Sequence, residues 1–187
     1  MRKVRAVVRV CGVAGALLGG GGCDTGRSSQ PRRSFDEKQQ IFQVSAADQA
    51  MNAAVARARA TARAFLPHLR NPPQGQSYLG VKAELKGPEG SEHIWLYDIR
   101  YEGDRIVGRL RDDAEHVAGF RQGDEVRVRP EEVSDWMTIE NGQVCGGFTS
   151  RILVADLPPA ERARWMQGMG VERMPEGDAV CVEGARL

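Results

Sequence analysis

The sequence predicts an α+β domain, a curved antiparallel sheet or small partly closed barrel of five to six strands with an N-terminal and a C-terminal helix packed on it. Three observations predict it. An alanine-rich segment near residue 50 repeats its apolar side chains at helical spacing. Short alternating segments separated by turn residues run from Tyr78 to Leu153. A proline-led, glycine-ended segment then surrounds Trp165.

The chain's 187 residues open with basic residues from Arg2 to Arg9, an apolar stretch from Val10 to Leu18 and small residues from Gly19 to Gly22. That order predicts a signal peptide over residues 1–22, since the apolar run is about half the roughly 20 residues a bilayer core requires. Cys23 follows Leu17-Leu18 and the glycine run as a lipidated cysteine follows its small residues, although Gly20 stands where a lipobox usually carries leucine. Cleavage by the ordinary signal peptidase is the alternative, and it lacks its A-x-A-like site. The expected location is therefore the cell envelope, with the protein anchored to a membrane through lipid on Cys23, outside the cytoplasm. Residues 24–40, DTGRSSQPRRSFDEKQQ, are polar with almost nothing to bury, so residues 23–40 are expected to be the lipidated cysteine and a disordered tether.

Residues 41–187 are expected to form one domain, since what remains suffices for a single core. Ser45, with Asp48 three residues on, predicts the start of the first helix, and Met51, Ala54, Val55, Ala58, Ala62, Phe65 and Leu66 share one face. Pro67 and Asn71-Pro72-Pro73 stop it near Leu66, and the small alanines predict close approach to a sheet. Leu79, Val81, Ala83 and Leu85 alternate with polar residues as in a half-buried strand, and a turn at Gly87 to Gly90 leads to a second strand over residues 92–101. Gly103-Asp104 turns the chain into a third, residues 105–110; residues 125–129 read as a fourth. Asn141-Gly142 joins two more strands as a two-residue hairpin, and strand character is expected up to Leu153. Pro158-Pro159, Glu161 and Gly170 frame the C-terminal helix, after which residues 179–183 suggest an edge strand.

Removing the predicted leader leaves 22 basic against 25 acidic side chains, a net charge of −3. With no basic run longer than Arg32-Arg33, the chain lacks the clustered cations that neutralise phosphates, which excludes nucleic acid as a partner class. Export also changes how cysteines read. Cys11 leaves with the leader and Cys23 takes the lipid, so Cys145 and Cys181 remain as an expected disulfide in an oxidising compartment; two buried free thiols are the alternative.

Candidate chemistry is sparse. Glu92-His93 and Glu115-His116 could each orient an imidazole, but no HExxH, HxH or clustered acid set accompanies them, and neither a metal nor a cofactor is expected. No GxSxG elbow exists, Ser134 and Ser150 have no assignable base, and Gly146-Gly147 follows a strand without opening a helix, which suggests a bulge or a tight backbone contact. Cys145, if unpaired, could act as a nucleophile with His93 or His116. Trp95, Trp136 and Phe148 suit core or cross-strand aromatic positions. Asp135, within the apolar stretch VSDWMTI, needs solvent, backbone donors or an arginine, and Arg151 is the expected partner.

The segments YLGVKAEL, EHIWL, the hairpin ending in Gly108, FRQGDEVRV, EEVSDWM and GGFTSRIL occur in that order between residues 78 and 153. As a set, this block resembles the domain of unknown function 2314 family. The resemblance implies a compact domain and brings no catalytic residue, substrate or cofactor with it. Cys145 lies outside the shared motif, which favours a local disulfide over a nucleophile. The functional expectation is a noncatalytic, envelope-tethered module that binds an envelope protein or small ligand through His93, Trp95, Asp135 and Trp136, with Arg151 holding Asp135. The alternatives are an enzyme of unknown type using His93, Asp135 or Cys145, and an inhibitor of another secreted protein.

Overall fold

The computed structural model describes residues 5–9, 33–36, 41–45, 47–69, 76–88, 90–115 and 117–174. Cys23, His116, Cys181 and the suggested edge strand at residues 179–183 lie outside the described residues. Three short strands come first: β1 (Arg5–Arg9), β2 (Arg33–Asp36) and β3 (Ile41–Ser45). β3 is central, pairing parallel with β1 on one edge and antiparallel with β2 on the other. Part of the segment expected to be a disordered tether is thus a strand. The Arg33 guanidinium fixes it there, with Nε 2.9 Å from Asp156 and 3.3 Å from buried Asp48.

Helix α1 (Gln49–Phe65) starts three residues later than the Ser45 cap predicted. Ser45 closes β3, and Asp48 caps the helix by accepting the Met51 N–H at 2.9 Å. The buried face of α1 is Met51, Ala54, Ala58, Thr61, Ala62 and Phe65, the predicted stripe with one hydroxyl added. A 3-10 turn over Leu66–Leu69 ends it where the prolines require.

The main sheet holds β4 (Gln76–Gly87), β5 (Gly90–Glu102), β6 (Arg105–Leu110), β7 (Glu125–Val128), β8 (Val133–Glu140) and β9 (Gln143–Gly146). Its order is β7-β6-β5-β4-β8-β9, antiparallel throughout. The six strands match the α+β expectation; the described strands form an open sheet rather than a closed barrel. Asn141 and Gly142, at φ 50° and 72°, make the predicted hairpin turn between β8 and β9.

Strand character was expected to continue to Leu153, but the chain turns into helix α2 (Phe148–Asp156). Gly146 and Gly147, at φ 68° and 65°, reverse the backbone. A Cβ on Gly146 would stand 2.4 Å from the Trp136 carbonyl oxygen, so the tight backbone contact foreseen here is real, while the glycines do open a helix. The aromatic and β-branched residues in FTSRILV read as strand because packing, not propensity, decides this segment. Helix α3 (Pro159–Met169) follows as predicted, with Gly170 as its left-handed cap.

Alternation gives the main sheet two unlike faces. The first carries Val81, Ala83, Ile94, Leu96, Ile106, Leu110 and Trp136, packed with the alanines and Phe65 of α1. The second carries Met137, Ile139 and Val144, against which Tyr78, Trp95 and the α3 residues Trp165, Met166 and Met169 pack.

Candidate functional site

The register places the site. Lys82 on β4 stands opposite Asp135 on β8 and Trp95 on β5, and Glu84 stands opposite His93. Directly paired residues share a face, and Lys82 and Glu84 alternate with Val81 and Ala83. Lys82, Glu84, His93, Trp95 and Asp135 therefore all belong to the second face. Of these, Asp135 is fully buried and Lys82 only 3% exposed.

Buried charge requires partners, and Asp135 has four. One carboxylate oxygen accepts the N–H groups of Trp136 at 2.9 Å and Phe148 at 3.1 Å. The other accepts the Thr149 N–H at 2.8 Å and the Thr149 hydroxyl at 2.6 Å. Phe148 and Thr149 open α2, whose preceding Gly147 has no side chain to cap it, so an aspartate from the neighbouring strand supplies the cap. Burial raises the Asp135 pKa, opposed by the Thr149 hydrogen bond and by Lys82.

Lys82 Nζ donates to Thr149 Oγ1 at 3.3 Å and lies 5.7 Å from the Trp95 ring centre. Burial lowers its pKa to about 8, with Asp135 pulling the other way. The His93 pKa falls to about 4, chiefly through burial and then through the nearby Lys82 charge. His93 Nδ1 is buried and has no hydrogen-bond partner among the described residues. Beside them, Arg111 donates to the Tyr78 hydroxyl at 2.9 Å and lies over its ring.

The sequence-predicted residues thus divide. His93 and Trp95 stand together on the second face, each partly accessible. Asp135 shares that face but is consumed by capping α2. Trp136 points into the core, stacked on Phe65 at 4.4 Å, with Nε1–H donating to Thr61 Oγ1 at 2.9 Å. The expected Arg151 to Asp135 pair is not formed. Arg151 Nε and Nη2 donate at 2.8 Å to the Gly146 and Val144 carbonyls, tying α2 to β9, because backbone donors already fill the carboxylate. Cys145 is fully buried and pairs in register with Thr138, itself opposite Leu79, which places it on the first face, away from His93. The Cys145 and His93 pair considered for nucleophilic chemistry is not assembled.

Sequence reasoning passed over Lys82, Thr149 and Thr61. Lys82 sat in the polar half of a strand alternation and read as solvent-facing. Nothing in that alternation shows that both faces are covered. The Asp135 to Thr149 and Trp136 to Thr61 bonds join residues 14 and 75 apart in sequence, beyond any local periodicity.

The family described as uncharacterized protein conserved in bacteria, DUF2314, matches residues 48–173. The chain belongs to this family. The match extends past the resembling block of residues 78–153 to include α1 and α3. Lys82, His93, Trp95, Asp135 and Thr149 all fall within the DUF2314 span. A putative ankyrin repeat protein of Neisseria meningitidis serogroup B is 30% identical over 150 residues, 76% of this chain and 59% of that protein. The chain thus spans little more than half of that relative. The uncharacterized protein YegJ of Escherichia coli K12 is 29% identical over 113 residues, 60% of this chain and 72% of its own. No solved structure matches.

Proposed function

We propose that this DUF2314 protein is a noncatalytic binding module of the cell envelope, anchored to a membrane by lipid on Cys23 and engaging an envelope protein through the second face of its sheet at His93 and Trp95. The observation that carries this reading is the His93 Nδ1 atom, buried without a partner among the described residues, on the face that also holds Lys82 and Trp95. An unsatisfied buried polar atom costs about 1 to 3 kcal/mol, and a bound group that bonds to it recovers that cost. Asp135 and Trp136 support the face from behind instead of touching the partner. The enzyme alternative loses its assembled groups, since Asp135 is committed to backbone donors and Cys145 faces away from His93.

The test compares captures from detergent-solubilised envelope. His93→Ala and Trp95→Ala proteins that keep the wild-type circular dichroism spectrum should lose the captured protein. Wild-type capture by the folded double variant would overturn the binding reading, and turnover of a substrate that depends on Cys145 would replace it with the enzyme reading. Mass spectrometry of the membrane-extracted protein should show diacylglycerol on an N-terminal Cys23; an unmodified N-terminus would remove the anchor.

A further inference from the structure

The strand β1 belongs to the predicted leader, yet it is placed as a working part of the fold. Residues Arg5 to Arg9 pair in parallel with Ile41 to Ser45 of β3, whose other edge is taken by β2. β1 also lies against β5. β4 pairs with Gly90 to Leu96 of β5 and β6 with its second half, Leu96 to Glu102, so β5 is paired on only one side along much of its length, and β1 adjoins it. Removal of residues 1–22 takes β1 away. It leaves one edge of β3 with unpaired backbone N–H and C=O groups next to an uncovered stretch of β5, and such an edge pairs readily with another extended chain.

We propose that the free edge of β3 and the adjoining stretch of β5 form a strand-addition slot, filled by β1 before export and afterwards by an extended segment of a partner protein. This rests on the binding reading above and names its partner class. The occupant's character follows from β1, RAVVR: a parallel strand of about five residues with β-branched aliphatic residues at its centre. Backbone pairing with β3 supplies affinity, and contact with the adjoining stretch of β5 supplies selectivity. Filling the slot with the leader also protects an edge that would otherwise pair with other chains before export.

The test uses a fluorescent peptide of residues 3–10, KVRAVVRV, with the exported protein lacking its leader and with the unexported chain that retains it. The peptide should bind the exported form at least tenfold more tightly than the leader-bearing chain and shift the amide resonances of residues 41–45 and 90–102. A peptide with both Val7→Pro and Val8→Pro, which removes the central donors, should lose at least tenfold. Equal binding by the two protein forms, insensitivity to the prolines, or an exported protein that retains residues 5–9 would overturn the slot. So would binding that emerges only after deletion of residues 175–187, which would assign the slot to the chain's own tail. The two readings separate: capture that depends on His93 without peptide binding removes the slot alone, and peptide binding with capture indifferent to His93 and Trp95 removes the face alone.

Discussion

Asp135→Asn tests whether the aspartate is a helix cap supplied by the sheet. Asparagine keeps the shape and one acceptor. With its oxygen left on the Trp136 and Phe148 N–H groups, its amide nitrogen must face the Thr149 N–H, which now lies 2.8 Å from an acceptor. One charge-assisted bond is lost, worth about 1.5 to 3 kcal/mol, and a buried donor goes unsatisfied, costing about 1 to 3 kcal/mol. Relief of the desolvation that raises the Asp135 pKa offsets part of this, leaving a net loss of about 3 kcal/mol. For a domain of this size that lowers the melting temperature by roughly 6 to 12 °C. Lys82 also loses the carboxylate that holds its pKa up, so the amine should titrate below about 8 in the variant. Calorimetry at pH 7 reads the first effect, and pH-dependent NMR of the lysine ε-methylene reads the second. Thr149→Val completes a double-mutant cycle with a coupling of at least about 1 kcal/mol. A variant melting within 2 °C of wild type, or a Lys82 titration that does not move, would refute this account of the cluster.

Three further outcomes follow from the same geometry. Gly146→Ala should lower stability by more than about 2 kcal/mol in urea titrations, since the methyl meets the Trp136 carbonyl at 2.4 Å on a backbone at φ 68°; an unchanged midpoint would contradict the turn. His93 titrates near 4 folded and near 6.5 unfolded, so below pH 4 both states bind the proton and above 6.5 neither does. Stability of the leader-bearing chain should therefore rise by roughly 3 kcal/mol between pH 4 and 6.5 on account of this one group, and His93→Gln should flatten that part of the profile. Cys145, buried on β9, is expected to pair with Cys181, so thiol labelling of the native, unreduced exported protein should find no free cysteine in the domain; reduction should then cost up to about 3 to 4 kcal/mol.

Alternation and helical spacing carried most of this fold. The strands of β4, β5, β6 and β8, the Asn141-Gly142 hairpin and both flanking helices were legible because each is specified by neighbours within one or two turns of chain. Helix α2 was not. Its residues favour strand locally, and the helix exists because Gly146 and Gly147 turn the backbone there and Asp135, on another strand, satisfies its first donors. The candidate site shows the same divide. His93 and Trp95 stood out as a polar and an aromatic residue on one strand, and register then brought them to Lys82. Asp135 and Trp136, adjacent in sequence, have opposite fates because successive strand residues face opposite ways: Asp135, on the second face, caps helix α2, while Trp136 fills the core on the first. A sequence can reveal such alternation within each strand, but whether the polar half meets water or protein depends on what lies over the sheet. Here α3 packs over one part of that polar half, and β1, inside the predicted leader, lies against β5. Both lie far in sequence from the strands they meet, so alternation within one strand carries no trace of either.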